Sequence, residues 1–284
     1  DTDDFNFSIG GNISFNKSKI GDLGIPLSEI YMSNGVIENR SFYLGTPVST
    51  GTYFKYPSNI FIEGEEPGLF YGYATDGIYQ STDEITVENV QAGDIRIIDQ
   101  NGDGVINASD RTIIGNPNPD FVYGLNLNLN YKNWSLTALV NGVEGNDIAN
   151  GMQLDLGVAE GTFSNVLSDA YYNAWRPDAE SNLYPRVGYT GNNNALAMND
   201  RIIEDGSYFR LKNITLGYDI PVKEAGMFSR CNIYLSGQNL ITITDYSGYD
   251  PEITSFLWDA TRIGVDFYQS PNVKAWTVGL NLEF

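Results

Sequence analysis

Residues Phe121–Val140 read FVYGLNLNLNYKNWSLTALV, and the alternation inside this stretch decides the fold class. Phe121, Tyr123, Leu125, Leu127, Leu129 and Tyr131 share one phase; Val122, Gly124, Asn126, Asn128 and Asn130 fall in the other. A period of two places successive side chains on opposite faces, so the segment predicts a strand with one apolar and one amide-bearing side. Lys132-Asn133 interrupts the pattern, and Trp134, Leu136, Ala138 and Val140 resume it against Ser135, Thr137 and Leu139. A two-residue join between such runs predicts an antiparallel hairpin.

The same grammar recurs on both sides. Phe5, Phe7, Ile9, Ile13 and Phe15 alternate with Asn6, Ser8, Gly10, Asn12 and Ser14. Downstream, Ile214, Leu216, Tyr218 and Ile220 alternate with Asn213, Thr215, Gly217 and Asp219. Ile233 and Leu235 alternate with Asn232, Tyr234 and Ser236, and Ile241 and Ile243 extend that run. The last strand sets Trp276, Val278, Leu280, Leu282 and Phe284 against Thr277, Gly279, Asn281 and Glu283. Residues 21–67 are irregular, with short strands expected among loops. Residues 164–175 have helix-like spacing ending before Pro177.

Joins between these strands alternate in length. Those at 132–133 and 221–230 are short; those at 76–118, 141–206 and 244–272 are long, acidic and aromatic. A soluble sandwich also yields half-apolar strands. Long connections on one side, a hydrated second face and aromatic residues at the strand ends instead fit an outer-membrane barrel. The expected fold is all-β, a section of a large antiparallel transmembrane β-barrel, with the three long connections on one side of the membrane.

Composition removes several function classes. Acidic residues number 36 and basic residues 16, for a formal charge of -20, which leaves no basic footprint for nucleic acid. Histidine is absent, so triads and zinc sites that require it are excluded. Cys231 is the single cysteine; it shares its phase with Ile233 and Leu235, which makes it structural and unable to form an intrachain disulfide. Among so many acids no pair is singled out for glycoside hydrolysis, and no enzymatic activity is expected. No signal peptide opens the chain at Asp1, so a mature piece or a fragment is expected.

The sharpest local site runs from Asp99 to Asp110. With Asp99 at position one, Asn101, Asp103, Val105, Asn107 and Asp110 fall at three, five, seven, nine and twelve, and Gly104 falls at six. Calcium takes hard oxygen ligands from a tightly curved chain, and glycine at six permits the turn. The expectation is structural Ca2+ bound by Asp99, Asn101, Asp103, Val105 (backbone carbonyl), Asn107 and Asp110. The competing expectation is an Asx-rich turn needing no metal. Tyr171, Tyr172, Trp175, Tyr246, Tyr249 and Trp258 are candidate substrate or partner contacts, since flat rings beside acids and amides can stack on sugars or grip a peptide; loop packing explains them equally well. Arg210 and Lys212 read as interfacial anchors or as a strand entrance outside the lipid.

Several segments together resemble SusC/RagA-type TonB-dependent outer-membrane transporters: GLFYGYATDGIYQ at 68–80, Gly93-Asp94-Ile95, DQNGDGVI at 99–106 and DRTIIGNPNP at 110–119. Further matches are YYNAWRP at 171–177, SYFRLKNITLGY at 207–218 and SGQNL at 236–240. The resemblance implies that residues 1–284 are the C-terminal portion of a barrel of about 22 strands, with plug, TonB box and other N-terminal segments absent. It also implies import of an oligosaccharide or peptide across the outer membrane of a Gram-negative bacterium, with TonB, a SusD-like surface lipoprotein and the remaining barrel and plug as partners. The alternative is a secreted, calcium-stabilised glycan-binding or adhesive β domain.

Overall fold

The structure is a computed structural model that describes residues 4–33, 35–48, 57–157, 165–187, 198–222 and 227–284. Strand β1 (Phe5–Ser14) leads into a long excursion carrying β2 (Ser28–Tyr31), β3 (Ile37–Arg40), β4 (Phe42–Leu44) and β5 (Asn59–Ile62). The same excursion continues through β6 (Leu69–Tyr73), β7 (Thr75–Ile78), β8 (Ile95–Ile97) and β9 (Arg111–Gly115). The hairpin β10 (Phe121–Tyr131) and β11 (Trp134–Glu144) follows. After it come β12 (Asp147–Asn150), helices α1 (Gly151–Leu156) and α2 (Ser168–Asn173), and β13 (Ile203–Asp205). The chain closes with β14 (Tyr208–Asp219), β15 (Arg230–Thr244), β16 (Val265–Asp266) and β17 (Ala275–Glu283).

Six of these strands form a wall in the order β1-β10-β11-β14-β15-β17, every neighbour antiparallel. The register carries the sequence alternation across the whole sheet. Ile9, Leu127, Ala138, Ile214, Gly237 and Trp276 pair in succession on one face, as do Phe7, Leu129, Leu136, Leu216, Leu235 and Val278. The opposite face carries Ser8, Asn128, Thr137, Thr215, Ser236 and Thr277 in the same succession. Amides and hydroxyls dominate it, and its charges lie mostly toward the ends, with Arg210 and Lys212 near one and Asp219, Arg230 and Glu283 at the other. Cys231 pairs with Leu282 on the apolar face.

One irregularity keeps this segregation intact. In β14 the apolar residues are Phe209 and Leu211, then Ile214, Leu216 and Tyr218, so the phase flips between 211 and 214. The register shifts at that point against both neighbours, and the extra residue keeps Leu211 opposite Val140 and Ile241. On β15 the bulge places Asn239 at φ 51°, and Leu240 folds over Gly237, where a Cβ would lie 2.5 Å from its Cδ1. The SGQNL segment is therefore a bulge.

All short joins lie at one end of the wall. The Lys132-Asn133 turn, the 220–229 connection and both outer strands' ends at Phe5 and Glu283 meet there, tied by Asp219 N–H to Asn133 O (2.8 Å) and Ser229 N–H to Glu283 O (2.7 Å). All three long connections leave the opposite end. The described helices include none long and apolar enough to cross a membrane, which says nothing of strands.

The long connections fold together into a cap. It holds a six-stranded sheet, β3-β2-β9-β6-β5-β4, a three-stranded sheet, β13-β12-β16, and the pair β7-β8. Its core unites the excursions: Phe70 and Val48 from the first, Ala149, Leu154, Met198 and Ile202 from the second, and Val265 from the third. A second cluster joins Ile30, Met32, Ile60, Ile62, Leu69 and Tyr71. The irregular segment 21–67 thus supplies four strands of the cap sheet. The helix expected over 164–175 is shorter: α2 spans Ser168–Asn173, and Ser164 lies outside the described residues. Leu167 gives it no side-chain cap, and Ala174 is extended because it bridges Tyr184.

Candidate functional site

The Asp99–Asp110 loop leaves β8, turns through Gly102 (φ 72°) and Gly104 (φ 80°), and enters β9 through a single 3-10 turn at Ala108–Asp110. Left-handed backbone at both positions explains the glycines. Asp99 accepts from the N–H groups of Gly102 (2.7 Å) and Gly104 (2.8 Å), and Asp103 accepts from Val105 N–H (2.8 Å). Asn101 accepts from Asp103 N–H (2.9 Å). Asp110 reaches back to Gln100 N–H (2.9 Å) and Asn107 N–H (2.7 Å), and Asn107 caps Ser109 (2.8 Å).

The first and last residues of the loop are thereby drawn together. The Gly104 N–H holds Asp99 below the ordinary carboxylate range, while burial pushes Asp110 up, with the nearby Asp99 charge adding to it. The donor set is hard oxygen throughout, and each bonded carboxylate oxygen keeps a lone pair, so its chemistry fits calcium. Among the described residues no group of three or more acidic or cysteine side chains is gathered as a metal cluster. As folded here, Asp103 and Asn101 turn toward the loop's own backbone.

The six aromatic candidates separate into two kinds. Tyr171, Tyr172, Tyr249 and Trp258 are exposed, Trp258 at 78%. Trp175 and Tyr246 are buried. Trp175 covers Gly93 and donates to Gln80 Oε1 (3.1 Å), while Tyr246 donates to the buried Asp266 (2.6 Å). These two rings hold the cap together and present no stacking face to a solute. Asp94, also fully buried, pairs with Arg186 at 2.7 Å. The Tyr79-Gln80 and Gly93-Asp94 segments are therefore locked onto 175–186.

Of the two expectations for Arg210, a snorkelling anchor does not fit a buried side chain, whereas its place near the cap end of β14 is that of a strand entrance. The phase flip puts it on the polar face, opposite Asn141 and Thr242, at 1% exposure. It donates to Asp250 (2.6 Å), Glu252 (2.8 Å) and Thr242 (3.1 Å), and its guanidinium lies over the Tyr208 ring. Lys212 reaches Glu252 at 3.1 Å. Burial pushes the Asp250 carboxyl up, but the Arg210 and Glu252 N–H hydrogen bonds outweigh it and leave it below its ordinary range. The Gln269 side-chain amide donates through Nε2 to Asp250 O (2.7 Å), and the backbone N–H of Asn272 donates to the Asp250 carboxylate (3.2 Å). Arg210 is thus a clamp that fastens the 245–274 connection to the wall. The phase flip was the signal in the sequence.

An antiparallel wall, apolar outside and polar inside, with its long connections condensed into a cap at one end, defines a section of a membrane β-barrel. Comparison with known proteins agrees. The chain is 33% identical to TonB-dependent receptor P3 of Formosa agariphila over 99% of its length and 27% of that protein. It is 28% identical to TonB-dependent receptor SusC of Bacteroides thetaiotaomicron over 100% of its length and 25% of that protein. Its fold matches the structure of the RagAB peptide transporter with TM-score 0.71 at 23% identity, covering 100% of this chain and 28% of that one. No family model matches. The chain belongs to the SusC/RagA-type TonB-dependent receptors and spans about a quarter of the length of the curated relatives it matches.

Proposed function

We propose that the chain is part of an outer-membrane importer, energised through TonB, that carries an oligosaccharide or peptide into a Gram-negative cell. The observation that carries this reading is the wall: one face of six strands exposes a continuous apolar surface, and the other is lined by amides and hydroxyls. Wall strands of 9–15 residues are long enough to cross the apolar band of an outer membrane, which needs about 9–11. The relatives are named as receptors or a transporter, which supports binding and translocation rather than catalysis. A secreted glycan-binding domain would leave Phe7, Ile9, Val278 and Leu280 facing water as one sheet-wide patch, which monomeric soluble proteins rarely tolerate.

In this reading the cap faces outward and bears on a SusD-like surface lipoprotein, with exposed Tyr249 and Trp258 among the available contacts. Calcium in the 99–110 loop would stiffen the entry to β9, a strand inside the cap sheet. The test of import is uptake of labelled oligosaccharides and peptides by cells lacking the intact protein or lacking TonB. Both strains should lose the same solute class; uptake that persists without TonB rejects the reading. Metal analysis tests the loop: the intact protein should retain calcium after dialysis and Asp99→Asn/Asp103→Asn should not.

A further inference from the structure

In the third long connection, residues 253–264 shape a groove of ≈ 400 Å³ lined by Ile253, Phe256, Leu257, Trp258, Arg262 and Ile263 among others. Its base is rigid. Asp259 caps a 3-10 turn at Ala260–Arg262, accepting from the Thr261 N–H (2.9 Å) and the Thr261 hydroxyl (2.6 Å). Thr46 N–H donates to the Thr261 hydroxyl (3.2 Å), and Asn59 Nδ2 donates to Ile263 O (3.0 Å), which pins the turn to β5 and the residues after β4.

Arg262 is held on this base in two ways. Its Nε donates to Asp259 (2.7 Å), and its guanidinium lies over the Phe256 ring, 4.5 Å from the centroid. The side chain is 20% exposed, and among the described residues neither Nη1 nor Nη2 makes a hydrogen bond. The guanidinium plane is thus fixed while its four outer N–H donors go unused in a side chain that lines the groove. Paired with Asp259, the cation is neutralised, so the groove selects for neither an acidic nor a basic solute. Trp258 meets Phe256 edge-on (6.2 Å, 67°) and leaves its indole in solvent, beside an equally exposed Leu257. A ring so placed gains burial against any flat apolar surface that enters.

Ring and donors together select a chemistry. An apolar peptide side chain in the groove would cover its walls yet strip water from the Arg262 donors without replacing it, which costs more than the contact returns. A sugar ring satisfies both at once: its C–H face lies on the aromatic ring, and the hydroxyl oxygens at its edge accept from the guanidinium. We propose that this groove binds a neutral sugar ring of an oligosaccharide, stacked on Trp258 with its hydroxyls on Nη1 and Nη2 of Arg262. The site deepens the import reading and rests on it for its place at the cell surface; the binding itself is measured apart from transport.

The test is calorimetry on the intact outer-membrane protein, purified in an amine-oxide detergent that carries no sugar head group. The probes are neutral hexasaccharides of glucose in α and in β linkage, of galactose and of mannose, and an acetylated, amidated hexapeptide rich in leucine and phenylalanine. At least one saccharide should bind, and Trp258→Ala should weaken it about tenfold or more, while Trp258→Phe keeps most of the affinity. Arg262→Lys retains a cation for Asp259 but loses the fixed pair of donors, and should weaken the same saccharide about threefold to tenfold. Should that variant loosen the 259–263 turn, Trp258→Ala at its exposed position still decides. Binding of none of the saccharides, tighter binding of the hexapeptide, or saccharide binding unchanged in Trp258→Ala overturns the site. The last result is what a ring serving only the lipoprotein contact would give. TonB-independent uptake would refute import yet leave the calorimetric losses untouched, so the two failures are distinguishable.

Discussion

In the wall, Ile9, Ile13, Val278 and Leu280 stand 56–72% exposed; in the cap, Ile60, Ile62 and Ile148 are fully buried. The two regions alternate along one chain and use the same residue types, yet the wall strands contribute only Tyr208 to the buried apolar core. The wall's apolar residues await an apolar phase supplied from outside, whereas the cap makes its own. Stability of the wall should therefore depend on the bilayer and on further strands pairing with the free edges of β1 and β17. The cap should respond to mutation as an ordinary globular domain does.

The clamp between the two regions offers the strongest way to break this division. Arg210→Met leaves Asp250 buried without its cation and should cost roughly 3–5 kcal/mol, read as accelerated hydrogen exchange across 245–272 with the wall still inserted. The same clamp has a pH signature. Asp250 is held below its ordinary range, so its contribution is complete above about pH 4 and is lost as pH falls through the lowered value. Glu252, Lys212 and Tyr208 surround the pair. Docking of 245–272 that weakened already between pH 7 and 5 would count against Arg210–Asp250 as the fastening.

Core truncation tests the cap directly. Ile60→Ala should destabilise it by about 2–5 kcal/mol, while Ile9→Ala on the outer wall should have little effect on cap unfolding. Equal sensitivity would mean that cap and wall unfold as one unit. A charge tests the wall in turn. Leu280→Arg on the outward face should cost about 2–4 kcal/mol near the bilayer midplane and reduce assembly into the outer membrane. Asn281→Arg, one residue on and facing inward, should assemble close to normally. Similar yields from the two variants would remove the distinction between the faces. The smallest effect is expected at Ser8→Ala, where a hydroxyl 3.5 Å from Asn128 Nδ2 lies on the hydrated face; assembly should change by less than about 0.5 kcal/mol.

Much of the wall was legible from residues alone. The alternation of Phe121–Tyr131 and its five counterparts is a local property: the pleat sets the two faces, and the 132–133 turn sets the first register. The Asp99–Asp110 turn was legible for the same reason, since Gly102, Gly104 and the capping Asn107 act within twelve residues of one another. What the residues could not disclose is where the long connections go. Phe70, Leu154 and Val265 lie far apart in the chain and meet only because the wall delivers three loops to one end, where their apolar side chains have no partner except each other. The burial of Trp175 and Tyr246 and the clamp at Arg210 follow from that meeting. Alternation along a strand is written in the local sequence, whereas burial inside the cap depends on contacts between distant segments, and only the tertiary structure decides those.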